Sequence, residues 1–156
     1  MLLLGRNPSL LKARRDPVIT YAERACFRDL HLCLLARVTT YVDRVSSTWG
    51  NELRCHELAR AVLRVAHSDA AHGLIVGYAQ ELDVVDGHCG PIEHSWLRFT
   101  DGVILDAYAP GRIPAVQIID PIVGAAYRQG TARTDIRVAI LDRLVLEMRA
   151  DVADGV

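Results

Sequence analysis

Apolar residues in the first half of the chain recur every three to four positions, and after Gly73 that period shortens. From about Tyr21 to Ser46, Ala22, Ala25, Cys26, Leu30, Cys33, Leu34, Val38 and Tyr41 fall on one 3.6-residue stripe, with Arg37 its polar exception, and predict a long helix. Ahead of it, residues 1–19 hold scattered turn formers, Asn7-Pro8 and Asp16-Pro17, and read as an irregular arm. Small polar residues and glycine from Ser46 to Asn51 break the helix. A second helix is expected from near Leu53 to His67, burying Leu58, Ala59, Val62, Leu63 and Ala66, with Cys55 in its first turn.

Beyond Gly73, Leu74 to Ala79 is a short apolar run of β type, and Asp86 to Pro91 reads as a turn-rich loop. Glu93 to Phe99 and Val103 to Tyr108 predict a hairpin, Val116 to Ile119 a last short strand, and Thr134 to Met148 a closing helix. That helix would present Ile136, Ala139, Ile140, Leu144 and Met148 on one face, with Asp135 at its positive end. Helices ahead of a largely antiparallel sheet imply an α+β fold.

The hairpin carries a parity constraint. Leu97, Phe99, Val103, Leu105 and Ala107 suit a core, while His94, Trp96, Arg98, Ile104, Asp106 and Tyr108 are their alternates. Both sets keep to one face each only if the loop has an odd number of residues, as in Thr100-Asp101-Gly102, with Gly102 left-handed. Trp96 then pairs with Asp106 and His94 with Tyr108, so His94 and Asp106 become diagonal neighbours. A two-residue loop would send them to opposite faces.

Composition changes this picture little. The 156 residues are 51% hydrophobic and 24% charged, which fits one soluble domain over 1–156 and excludes a coiled-coil rod or a disordered tail. A net charge of −1 argues against a nucleic-acid partner, and no stretch has the length of a membrane span. All but one of the 18 basic residues are Arg, the exception being Lys12, which reads as compositional bias or as anion recognition. Without a signal peptide the expected location is cytoplasmic. The four cysteines, Cys26, Cys33, Cys55 and Cys89, are then expected as free thiols. Cys26 and Cys33 share the first helix stripe, roughly 10 Å apart, and read as core.

Only Cys55 is expected in the first turn of a helix, where unpaired N–H groups and the helix dipole favour a thiolate. A histidine to take its proton and a carboxylate to orient that histidine are supplied by His94 and Asp106. The Cys55 N–H and one upstream donor, Asn51 or Trp49, would hold an oxyanion. Trp96 is expected to shield the His94–Asp106 pair, and Arg98 and Arg112 to line the cleft beside it. His56 projects about 100° away from Cys55 on a helix and reads as a surface or capping residue. Glu57 reads as a first-turn carboxylate favoured by the dipole.

Cys55 opening Cys-His-Glu-Leu-Ala-Arg-Ala-Val, then His94-Ser95-Trp96-Leu97, then Asp101-Gly102-Val103-Ile104-Leu105-Asp106, resembles the core of transglutaminase-like proteins in the papain-like cysteine-enzyme superfamily. The resemblance covers roughly 49–110. It implies a papain-like (transglutaminase-like) core: N-terminal helices packed on a small antiparallel sheet, with a C-terminal helix. It also implies Cys55 as nucleophile, His94 as base and acid, Asp106 as orienter, and acyl transfer or hydrolysis on a peptide or amide-containing substrate. No cofactor and no metal are expected, and the oligomeric state stays open. Two other readings remain: a non-catalytic binding module on the same fold, and a small metal-binding protein using His88, Cys89 and His94. The last lacks a Cys-x-x-Cys or His-x-x-x-His pair.

Overall fold

The structure, a computed structural model, describes residues 2–4, 29–74, 77–108, 115–119 and 126–154. The expectations for Cys26, Arg112 and most of the N-terminal arm fall outside these residues. In chain order the elements are β1 (Leu2–Leu4), α1 (Asp29–Trp49), a 3-10 turn (Gly50–Glu52), α2 (Cys55–Ala71), a second 3-10 turn (Gly77–Glu81), β2 (Asp83–Cys89), β3 (Ile92–Arg98), β4 (Ile104–Asp106), β5 (Gln117–Ile119), β6 (Tyr127–Gln129) and α3 (Val138–Asp154). The strands form one antiparallel sheet in the order β1-β5-β4-β3-β2-β6, so the class is α+β. Among the described residues no helix is long and apolar enough to cross a membrane.

Helix α1 buries Leu34, Val38, Tyr41, Val42, Val45 and Trp49, spaced three and four apart. This stripe centres on Leu34 and Val38, which leaves Cys33 about 100° off the axis of burial; Cys33 is exposed, not core as expected. Helix α2 buries Leu58, Ala59, Val62 and Ala66 as expected, and also Ala61, Val65 and Asp69. It is covered on several sides because α3, β3 and the second 3-10 turn all pack on it. Asp69, near its end, accepts a hydrogen bond from the buried Tyr41 hydroxyl of α1.

The β3–β4 hairpin has the odd loop that its parity requires. Leu97 lies opposite Leu105 and Arg98 opposite Ile104. Phe99 N–H donates to Val103 O and Gly102 N–H to Phe99 O, both at 2.9 Å, with Gly102 at φ 92°. One face sends Leu97, Phe99, Val103, Leu105 and Ala107 into the main core beneath the helices. The other face is covered as well: Val85, Trp96, Ile104 and Ile119 form a second apolar cluster with Tyr127 against it.

Six expectations about the elements need correction. α1 runs on through Ser46 to Trp49 instead of breaking at Ser46, and α3 starts at Val138 rather than Thr134, so Asp135 and Ile136 precede it. Leu2–Leu4 form an edge strand on β5 rather than part of an irregular arm. Gly77–Glu81 is a helical turn, not β structure, because Ala79 and Leu82 are drawn into the core beside α2; a short apolar run has no period to decide the matter. Asp86 to Cys89 are strand, and only Gly90-Pro91 is turn, with Gly90 at φ 59°. Gly87 is a glycine for another reason: a Cβ there would lie 2.0 Å from the Arg128 carbonyl oxygen of β6. β5 is not the last strand, since β6 follows it and closes the sheet beside β2.

Candidate active site

Cys55 is the first residue of α2. The first intrahelical bond runs from Leu58 N–H to Arg54 O, so the Cys55 amide lies outside the helical ladder. Two strands bring the other groups. His94 Nε2 is 2.8 Å from Asp106 Oδ2, with both side chains buried. The second Asp106 partner is Tyr127, whose hydroxyl donates to Oδ2 at 2.7 Å, while Tyr108 N–H donates to Oδ1 at 3.0 Å. With Nε2 committed to Asp106, Nδ1 is the His94 nitrogen left for another partner, and Cys55 lines the same cavity.

The electrostatics of the pair follow from these bonds. Burial alone would raise the Cys55 pKa. Hydrogen bonds from His56 and His94, the His94 charge and the Ser95 backbone N–H overcome it and lower the thiol to about 6. Burial alone would lower His94; Asp106 and Cys55 outweigh it and raise the imidazole to about 10. Both shifts favour the charged forms, a Cys55 thiolate beside a protonated His94. Trp96 stacks beside the His94 ring, centroids 6.0 Å apart and 23° from parallel, and meets Tyr127 edge-on at 5.2 Å. At 2% exposure Trp96 screens the His94–Asp106 pair from water.

A cavity of about 250 Å³ is lined by Cys55, His56 and His94 together with Leu53, Ile92 and Tyr108, and by the charged Arg54 and Glu93. A wider depression of about 520 Å³ elsewhere is lined by Glu81, Asp83 and the β3–β4 turn, and it holds neither cysteine nor histidine.

Three expected cleft residues lie elsewhere. Trp49 falls on the buried stripe of α1; its indole N–H donates to Glu147 Oε2 at 2.5 Å, and the Arg143 guanidinium sits 4.9 Å over the ring. It ties α1 to α3 and is not an oxyanion donor. Asn51 is exposed on the 3-10 turn and does not line the cavity. Arg98 lies four residues beyond His94, roughly 13 Å along the strand. It lines the wider depression and faces Gln129 at 3.4 Å.

Two residues read as peripheral prove central. His56 is buried, with Nδ1 3.5 Å from Cys55 Sγ and 2.7 Å from Ser95 Oγ. Ser95 Oγ donates in turn to Asp86 Oδ1 at 2.5 Å, and Asp86 Oδ2 is bonded by Arg60 and by the Arg133 N–H. The sequence signal was parity: Ser95 alternates with Leu97 and Phe99 and so points into the core face, where a polar side chain requires a partner. Glu57 is wholly buried between Arg54 and Arg137, which hold its carboxyl down to about 2 against the cost of burial. Tyr127 belongs to a strand that the sequence reading did not contain.

His88, Cys89 and His94 do not assemble a metal site. His88 and His94 lie on opposite sheet faces by register, and His94 is committed to Asp106. Among the described residues no group of three metal-ligating side chains converges. Compared with protein-family models, curated proteins and solved structures, the chain matches none.

Proposed function

We propose that this chain is a cysteine-dependent hydrolase or acyltransferase of papain-like, transglutaminase-like type, acting on an amide, peptide or ester carbonyl. The observation that carries the reading is the meeting of the helix-initial Cys55 with a His94 bonded to Asp106, in the wall of one cavity. The Cys55 thiolate attacks the carbonyl carbon, forming a C–S bond and an oxyanion beside the Cys55 N–H. The His94 imidazolium passes its Nδ1 proton to the leaving nitrogen or oxygen as that bond breaks, leaving a thioester and a neutral imidazole. Water or an amine then attacks the thioester, His94 takes its proton, and the acyl product leaves with Cys55 again a thiolate. Asp106 stays ionised throughout and holds the ring in place. Hydrolysis is the favoured outcome, with a peptide or amide-containing molecule as substrate.

A colorimetric activated ester tests this reading. Mixing with p-nitrophenyl acetate is expected to release a stoichiometric burst of p-nitrophenolate and leave an acetyl group on Cys55, read by intact mass and peptide mapping. Cys55→Ala abolishes the burst and His94→Ala slows it. Acetylation spread evenly over Cys26, Cys33, Cys55 and Cys89 overturns the reading.

A further inference from the structure

Cys55 faces two histidines, and each is tied to its own carboxylate. His94 reaches Asp106 directly. His56 reaches Asp86 through the Ser95 hydroxyl, at 2.7 Å and 2.5 Å. The direction of this second relay is set by chemistry. Asp86 is ionised, because Arg60, Ser95 and the Arg133 N–H lower its pKa against the effect of burial. It therefore only accepts, so Ser95 donates its hydroxyl proton to Asp86 and offers a lone pair to His56. His56 Nδ1 consequently carries a proton and is occupied. That N–H is the ring's donor beside the sulfur: Nδ1 lies 3.5 Å and Nε2 3.9 Å from Cys55 Sγ, at the cavity that His56 lines. All four members of this chain, His56, Ser95, Asp86 and Arg60, are buried or nearly so.

We infer that His56 is a second catalytic histidine, locked by the Ser95–Asp86–Arg60 relay so that its Nδ1–H supports the Cys55 thiolate while His94 does the proton-transferring work. A relay built only for packing has no need to end on the reacting sulfur. A solvent-facing or capping histidine would not be sealed against the sheet by a serine at a core position. The division of labour is chemical. His94 must release its proton to the leaving group and is neutral for part of the cycle, whereas the His56 proton stays on Nδ1, hydrogen-bonded to Ser95 Oγ, and the ring stays in place. The other groups about the sulfur are the Ser95 N–H, the phenol of Tyr108, and Arg54 and Glu93 across the cavity. Arg54 is engaged by Glu57 and Asp135, and Glu93 by Arg133.

This inference rests on the thiolate reading of Cys55 and is tested without any substrate. The full chain is titrated by the rate of iodoacetamide alkylation of Cys55 against pH, resolved by peptide mapping from Cys26, Cys33 and Cys89. The wild type, His56→Gln, Ser95→Ala and His94→Gln are compared, with circular dichroism and thermal melting as controls for folding. The expected result is a midpoint raised by a pH unit or so in both His56→Gln and Ser95→Ala, with the thiolate fraction below the midpoint falling roughly tenfold. His94→Gln is expected to retain a midpoint below that of an ordinary thiol, about 8.5. Ser95→Ala removes only one oxygen, so it keeps the test informative if His56→Gln folds poorly. A wild-type midpoint held unchanged by Ser95→Ala and by any folded His56→Gln overturns the role of His56 and leaves the proposed function standing. A wild-type Cys55 that titrates as an ordinary thiol overturns both.

Discussion

His94 Nε2 and Asp106 Oδ2 are 2.8 Å apart, on adjacent strands, with side chains 1% and 0% exposed. Buried this far from water, the imidazolium has a carboxylate as its principal counter-charge beside the thiolate. Asp106→Asn keeps the shape and removes the charge. Turnover of an ester or amide substrate is expected to fall by on the order of a thousandfold. The burst amplitude should persist, because Cys55 itself is intact. Steady-state and burst kinetics on the same variant check this, and a loss below tenfold would show that Asp106 does not orient His94.

The two titrations predict the pH dependence. Cys55 is lowered to about 6 and His94 raised to about 10. Below about 6 the sulfur is protonated and cannot attack; above about 10 the imidazolium has lost the proton that the leaving group needs. The acylation rate should trace a bell with a plateau between those limits. An acylation rate still climbing through pH 8 to 9, as for an ordinary thiol, would exclude the ion pair.

Glu57 links α2 to the approach of α3, accepting from Arg54 Nε at 2.7 Å, Arg137 Nη2 at 2.7 Å and the Arg137 N–H at 3.1 Å. Glu57→Gln leaves two arginines facing a neutral amide and is expected to cost roughly 3–5 kcal/mol in denaturant unfolding. In the wild type the folded pKa, about 2, lies below the ordinary value of 4.5. The stability contributed by Glu57 is therefore complete above about 4.5 and is lost as pH falls through about 2. The variant should show a flatter stability profile across that window, and an unchanged profile would remove Glu57 from the account.

Gly87→Ala tests the seating of β6. The new methyl would fall 2.0 Å from Arg128 O and 2.8 Å from Gly130 N, both backbone atoms that cannot swing aside. The expected cost is roughly 1–3 kcal/mol, with hydrogen-exchange protection lost first in Tyr127–Gln129. Activity should fall as well, because Tyr127 on that strand donates to Asp106. Unaltered exchange in β6 would show that the sheet accommodates the methyl.

Legibility in the sequence tracked how local each cause was. The face shared by His94 and Asp106 could be read from alternation across one short hairpin and from one glycine, and the observed register agrees with it. The place of Cys55 in the first turn of α2 followed from a stop signal and a periodic stripe. The misplaced residues answered to an unforeseen turn or to partners far away in the chain. Trp49 and Asn51 stood near Cys55 in sequence, but the helix period turned Trp49 inward to Glu147, and the 3-10 turn left Asn51 on the surface. Gly87 looked like a turn residue until β6 was seen pressed against it.

By itself the sequence determined the class of fold, the hairpin register and the order in which cysteine, histidine and aspartate are presented. These depend on period, parity and backbone handedness between near neighbours. The tertiary structure alone decided which side chains close around them: His56 turned onto Ser95, Tyr127 reaching Asp106, and Glu57 sealed between two arginines. Those partners come from separate elements. A buried polar group takes whichever donor or acceptor the packing of the whole chain brings within reach.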